Sequence, residues 1–363
     1  MTIKRIAYLL PAPGVPVQGP SGASAHARSM ASALSLNHDV RLYAARDTDR
    51  RGTFGPTTPN TCCGTPGWPS WLRQYREIAE IWAGRRIARC VLEDAHRGWR
   101  PDLIIERHSL FSDAGWRISS RLNIPWILEV NAPPVLERSR FEQIVQHKWA
   151  LQWEKSVLRA APTIVTVSRW LVSWLTEEIG CSNVIWIPNG VDAVQGDRDE
   201  GRKMLKASPD EMLVGFVGSM KPWHGVDRLQ HISKGADARL VVLGHIPEHV
   251  SSLPDNAICP GHLTGAEFAN AVAALDVGLA PYPADAPSWF CPLKILEYRA
   301  QGVPVVASDI GDACRLVAEG GDVVDPGDLN GFIDAVQSWK GRKTKPKVRG
   351  WQTVAQQILD TAN

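Results

Sequence analysis

No stretch of this 363-residue chain approaches the ~20 consecutive apolar residues that a membrane-crossing helix needs. The seven cysteines are odd in number and include no C-x-x-C pair, which argues against both a disulfide framework and a zinc ribbon; reduced thiols in a cytoplasmic protein are the expectation. A formal net charge of only +2 lacks the strongly basic balance of a nucleic-acid-binding protein. The ten histidines show no H-E-x-x-H or comparable ligand spacing, and the chain has neither a G-x-S-x-G nucleophile turn nor a Walker phosphate loop, so no metal and no cofactor are expected. The D-T-D triplet at 47–49 sits in a charged run without further carboxylates and reads as a solvated loop. The apolar run after the basic start, I-A-Y-L-L, is closed by Pro11 and Pro13 and is too short for a secretion signal; a first buried strand is expected there.

What the chain does have is alternation. With 44% hydrophobic and 21% charged residues it can bury the cores of two ordinary domains. Strand-like runs at 3–10, 39–45, 102–106, 125–130, 163–168 and 184–188 alternate with helical patterns at 22–36, 71–96, 112–122, 143–159 and 169–178. A second series has strands at 213–218, 239–243, 277–281, 304–307 and 322–324 and helices at 225–234, 265–274, 292–301 and 329–339. Between the two lies a polar segment, 193–210, with little apolar periodicity at its start, which reads as the boundary. The expected architecture is α/β: two Rossmann-like, doubly wound domains facing across a cleft, at 1–190 and 191–345. Residues 346–363 form a last amphipathic helix after a basic linker and are free to pack back on the first domain.

Three stretches suggest chemistry. In A-P-S-W-F-C-P-L-K-I-L-E-Y-R-A-Q-G-V-P-V-V-A-S-D, 286–309, Pro292 suits a first helical turn and Gly302 a helix stop, so a short helix lies between two buried strands with its amino end at the carboxyl edge of the sheet. Lys294 and Glu297 share one face of it, suiting a phosphate and ribose hydroxyls; a surface ion pair is the other reading. G-P-S-G-A-S-A-H, 19–26, is either a glycine loop that lets backbone approach a ligand or a plain strand-to-helix turn. V-G-F-V-G-S-M-K-P-W-H-G-V-D, 214–227, carries Lys221 and His224 at a loop tip, where Lys221 meets phosphate or water and His224 meets phosphate or caps the next helix. The Trp-rich segment 67–82 has three readings: an acceptor wall, a helix burying its tryptophans, or a membrane-touching face.

In order, P-N-G-V-D at 188–192, F-V-G-S-M-K-P-W-H-G-V-D at 216–227 and C-P-L-K-I-L-E-Y-R-A-Q-G-V-P-V-V-A-S from Cys291 resemble the retaining glycosyltransferases of family 4, which have the GT-B fold. The 19–26 loop, E-V-N-A-P at 129–133, T-V-S at 166–168 and the Trp351 helix extend the likeness over nearly the whole chain. The resemblance implies a sugar moved from a nucleotide diphosphate donor to an acceptor with retention and without a metal. It places Glu297 on the donor ribose, Pro292, Leu293 and Lys294 around the diphosphate, Gly19, Gly22 and His26 near the donor phosphates, and the base near Gly244, His262 and Leu263. The acceptor is left open among a glycan, a lipid-linked sugar and a small metabolite, with peripheral membrane contact a further possibility.

Three departures stand out. Trp289 occupies a position where the family has a glutamate, and an indole cannot accept a sugar hydroxyl's hydrogen bond. After Gly218, Ser219 and His224 replace the family's arginine and lysine, a charge that Lys221 and Lys294 can supply in a subgroup with W-H-G and S-P-L-K-like segments. The histidine expected after the third strand falls at Arg107, with His108 beside it, and either is a candidate to face the sugar. The rival readings are a sugar-nucleotide epimerase of the same architecture, which needs acid–base carboxylates and histidines, and a nucleotide-sugar-binding protein without turnover, suggested by Trp289.

Overall fold

A computed structural model of the protein describes residues 3–19, 21–46, 73–191, 194–218, 220–246 and 253–362; the D-T-D triplet, Trp68, Trp71 and Ser219 lie outside them. The chain divides into two compact units, Met1–Pro188 with Trp351–Asn363, and Asn189–Gly350.

The first unit is built on one six-stranded parallel sheet ordered β2-β1-β3-β4-β5-β6. Its elements are β1 (Arg5–Leu10), α1 (Gly22–Ser35), β2 (Asp39–Ala44), α2 (Arg73–His96), β3 (Leu103–Arg107), α3 (Ala114–Leu122), β4 (Trp126–Val130), α4 (Pro134–Phe141), α5 (His147–Ala160), β5 (Thr163–Thr166), α6 (Arg169–Ser173) and β6 (Val184–Trp186). The central strands R-I-A-Y-L-L, L-I-I-E-R and W-I-L-E-V are buried almost throughout, as a parallel sheet covered on both faces requires. Helix α6 continues as a π-turn over Trp174–Ile179 and ends at Gly180, φ 83°. Helix α4 was not expected from periodicity; Pro134 opens it, and its buried side chain is Val135 alone.

The second unit repeats the plan with a six-stranded parallel sheet ordered β12-β11-β10-β7-β8-β9. Here α7 (Arg198–Met204) precedes β7 (Leu213–Val217), and α8 (Val226–Gly235), β8 (Arg239–Leu243), β9 (Ile258–Gly261), α9 (Gly265–Ala273) and β10 (Val277–Ala280) follow. Then come α10 (Leu293–Ala300), β11 (Val305–Ser308), α11 (Ala313–Val317), β12 (Gly321–Val324) and α12 (Leu329–Ser338). Strand β9 escaped the sequence reading because it is a half-exposed edge strand, I-C-P-G, in which Pro260 is tolerable. The closing helix α13 (Trp351–Asp360) belongs to the first unit, where it packs on α1 and buries Trp351, Val354, Ile358 and Leu359.

The segment 193–210, read from its polarity as the domain boundary, contains α7. The Asp197 carboxylate caps it by accepting from the Asp199 and Glu200 amides, and Arg202 is buried, donating to Ala274 O and Ser208 O and pairing with Asp276. Contact with α9 runs through glycine: a Cβ at Gly201 would stand 2.0 Å from Asn270 O, and one at Gly196 2.1 Å from Ala269 O. Backbone approach of this kind leaves no apolar periodicity to read. Gly201→Ala gains ~1 kcal/mol of helix propensity but must separate the two helices, so a net loss of about 1–3 kcal/mol in a denaturant titration is expected. An unchanged midpoint would mean that α7 does not pack as described.

Candidate active site

In the second sheet, the chain winds outward from β7 in one direction and from β10 in the other, so the loops after these adjacent strands leave a crevice at their carboxyl ends. Helix α10 is fixed above it by Tyr298. The Tyr298 hydroxyl donates to Gly215 O at 2.9 Å, with Leu279 O at 3.3 Å, and accepts from the Val217 amide at 2.9 Å, tying α10 to β7 and β10 together. The ring fits because Gly278 has no side chain; a Cβ there would come 2.3 Å from Tyr298 Cγ. Lys294 lies one turn before Tyr298 on the same face, and so is carried to the carboxyl end of β7.

There the Lys294 ammonium is buried without a hydrogen-bond partner among the described residues. It stands 3.9 Å from the centroid of the Phe216 ring and 5.1 Å from that of Tyr282, contacts that offset part of its lost hydration. Burial lowers its pKa to about 7, against the opposing pull of Glu297. Gly218, at φ 140°, leaves room beside it: a Cβ there would lie 3.7 Å from both Lys294 Nζ and the His224 ring. His224 closes a short 3₁₀ turn over Pro222–His224, and its Nδ1 accepts from the Lys221 amide at 3.2 Å, leaving Nε2 as the donor nitrogen. Burial, then Lys294 and Lys221, push its pKa down to about 2, so the ring is neutral.

The other residues expected in this unit lie on α10 and on the loops that follow β7, β8, β9 and β10. Pro292 is the N-cap of α10 and offers no side-chain cap, so the first amides of the helix keep their donor capacity, beginning at Leu293. Glu297 is half-buried one turn on. Trp289 is buried at 5% exposure in the loop after β10, and Lys221 is exposed with its ammonium 5.4 Å from the Trp223 ring centroid. Gly244, φ 145°, lets the loop after β8 lie against the loop after β7, since a Cβ there would stand 2.3 Å from Gly218 O, and its amide donates to Gly261 O. His262 is exposed and Leu263 packs partly on the core.

In the first unit the corresponding switch lies between β1 and β3. Arg28 pins the loop after β1 by donating to Val17 O and Gly19 O, Ser21 caps α1, and Gly22 begins it. His26, 4% exposed on α1, brings Nε2 to 2.5 Å from Glu129 Oε1, and its ring packs edge-on against Trp351 at 4.8 Å. Glu129 also accepts from Asn131 Nδ2 at 2.6 Å and Tyr8 Oη at 3.2 Å, and the Arg107 guanidinium stands 3.6 Å away. Burial would raise its pKa, but His26, Arg107 and Asn131 outweigh that and hold it down to about 2. The neighbours Arg107 and His108 part company: Arg107 joins this group, whereas His108 is buried with Nε2 3.9 Å from Glu154 Oε1.

Several of these groups were not named from sequence. Glu129 stood in a recognised segment, and its signal is a lone carboxylate ending an apolar strand; Phe216, Tyr282 and Tyr298 had no signal beyond apolar strand and helix patterning. Among the described residues no cluster of histidine, cysteine, aspartate or glutamate could hold a metal ion, and no helix is long and apolar enough to cross a membrane.

Models of two domain families match the chain: Glycosyltransferase Family 4 over residues 20–195, and Glycosyl transferases group 1 over residues 211–339. A GDP-mannose-dependent alpha-mannosyltransferase of Corynebacterium glutamicum is 27% identical over 254 residues, covering 67% of this chain and 60% of that protein. The chain thus spans about three fifths of that relative's length. Among solved structures, sucrose-phosphate synthase from Thermosynechococcus elongatus has a TM-score of 0.68 at 20% identity, covering 99% of this chain and 95% of that one. The Anabaena protein HepE, in complex with UDP and glucose, has a TM-score of 0.61 at 17% identity, covering 99% and 97%. At these identities the two structures establish the shared fold, with two Rossmann-like domains.

The depressed Lys294 pKa has a sign that can be measured. Between about pH 7 and the ordinary lysine value the unfolded chain holds a proton that the folded chain has lost, so Lys294 makes stability rise with pH across that window and penalises folding fully below it. Lys294→Met is expected to raise the thermal midpoint by about 3 °C or more at pH 6, with the gain shrinking toward pH 10. The same substitution is expected to abolish pyrophosphate binding in calorimetry. A midpoint difference that is flat with pH would place the ammonium in water.

Proposed function

Because the chain belongs to glycosyltransferase family 4, we propose that it transfers a sugar from a nucleoside diphosphate donor to an acceptor hydroxyl, with retention at the anomeric carbon and without a metal ion. The observation that carries this reading is the buried ammonium of Lys294 at the amino end of α10, which has no hydrogen-bond partner among the described residues. A dehydrated cation beside free helix amides lacks only an anion, and a leaving diphosphate supplies one.

In this reading the anomeric carbon–phosphate oxygen bond breaks, the glycosidic bond to the acceptor oxygen forms on the same face, and the acceptor's proton passes to the departing diphosphate. The charge that grows on that diphosphate is met by Lys294, by the α10 amides and by the His224 Nε2 donor, all held in place before reaction; Lys221 adds a mobile charge at the loop tip. This supports charge neutralisation by protein groups in place of a metal. Glu297, on the same helix, is assigned to the donor ribose, and the Gly244 and Gly261–Leu263 turns to the base. Of the pair ending β3, Arg107 is the one assigned to a sugar, because His108 is directed toward Glu154.

GDP-mannose and UDP-glucose are the first donors to try, since the Corynebacterium relative is named for the former and the Anabaena structure holds UDP and glucose. Incubated without acceptor, the enzyme is expected to release free sugar slowly from at least one of them, undiminished by EDTA. Lys294→Ala is expected to lower kcat/KM for that donor by about 10²–10³, and Glu297→Ala to weaken donor affinity. Formation of an epimeric sugar nucleotide, or wild-type rates in Lys294→Ala, would overturn the assignment.

A further inference from the structure

Lys294 is the second residue of α10, and three features of its place count against a positive charge there. The side chain is buried, which costs an ammonium far more than an amine. Its Nζ has no hydrogen-bond partner among the described residues. It also lies in the first turn of a helix, where the positive end of the dipole repels a cation. A lysine so placed, unlike an arginine, can shed its charge by losing a proton.

The groups that face it come from three sides. Strand β7 and the loop after β10 offer ring faces, Phe216 and Tyr282, and burial keeps the Tyr282 hydroxyl un-ionised. The turn after β7 brings the neutral His224 ring, whose own pKa Lys294 helps to lower, and the exposed cation of Lys221. On α10 itself Tyr298 spends its hydroxyl on β7 and β10. Burial dominates and lowers the Lys294 pKa to about 7, although Glu297 on the same helix favours the charge. A bound diphosphate reverses this balance, because it brings acceptor oxygens to Nζ and negative charge to the helix amino end together. By linkage, a ligand that prefers the protonated lysine must raise the lysine's affinity for the proton by the same factor.

We propose that binding of the donor diphosphate is coupled to the uptake of one proton from solvent by Lys294, which above neutral pH is largely a neutral amine before the donor arrives and an ammonium once it is bound. The inference rests on the reading of this place as a diphosphate site. The proton returns to solvent when the nucleoside diphosphate departs, so a full turnover leaves Lys294 with no net gain or loss. Donor affinity therefore weakens as pH rises above neutrality.

Titration calorimetry of the full chain with GDP, and with UDP, in HEPES and in Tris at about pH 8 counts the protons, because the two buffers differ widely in ionisation enthalpy. At that pH a nucleoside diphosphate has already shed its own phosphate protons. Uptake of about 0.9 proton per bound nucleotide is expected, since a group with a pKa of about 7 is about nine-tenths deprotonated there. His224 cannot give that signal, because its pKa would have to climb from about 2 to above the working pH. His224→Gln is accordingly expected to bind more weakly with the uptake unchanged. Lys294→Arg, which stays charged, is expected to bind with an uptake below about 0.2 proton. In the wild type, affinity is expected to fall about tenfold or more between about pH 7 and 8.5, a readout independent of how the arginine variant folds. Binding without proton uptake, or uptake retained in Lys294→Arg, would overturn this inference and leave the diphosphate site standing. Failure of both nucleotides to bind would overturn the functional reading and this inference with it.

Discussion

An ammonium group taken out of water and left without a hydrogen-bond partner among the described residues is the constraint around which the second unit is arranged. Nothing within α10 demands that Lys294 point inward; the helix is placed by Tyr298, whose hydroxyl is shared between β7 and β10, and Tyr298 in turn requires the bare backbone of Gly278. Phe216 and Tyr282 supply ring faces but no formal charge, and Gly218 keeps the space in front open. The arrangement is costly in the absence of a ligand, which is the usual mark of a group held ready for one.

The first unit offers the opposite solution to the same problem. Its buried Glu129 is surrounded by His26, Arg107, Asn131 and Tyr8, so charge is neutralised within the protein and the carboxylate stays ionised. That network ties β1, α1, β3 and β4 together, and through Trp351 it also touches the last helix of the chain. Such a group positions side chains well; it does not by itself call for a ligand. The contrast explains why Lys294 carries the functional reading while the His26–Glu129 group supports it.

Much of this was legible in the sequence. Buried parallel strands announce themselves as short β-branched runs, and the parallel, doubly covered character of both sheets follows from alternation with helices. Pro292 and Gly302 bracket α10 to within a residue, and Lys294 and Glu297 were picked out from their spacing. What was hidden was hidden for physical reasons. Helix α7 packs through Gly196 and Gly201, which carry no hydropathy signal, and β9 is a half-exposed edge. The choice between Arg107 and His108 depends on which neighbour of a strand end turns toward Glu129, a property of tertiary packing alone. His224 was expected either at a phosphate or as a helix cap, and its Nδ1 accepts from the Lys221 amide, which makes Nε2 the donor nitrogen.

The central claim is that the buried Lys294 ammonium belongs to a diphosphate. A crystal structure with bound GDP or UDP tests it most directly. The account predicts a phosphate oxygen within hydrogen-bonding distance of Lys294 Nζ and the first amides of α10. A nucleotide bound with its phosphates elsewhere, and Lys294 still facing only Phe216 and Tyr282, would contradict it.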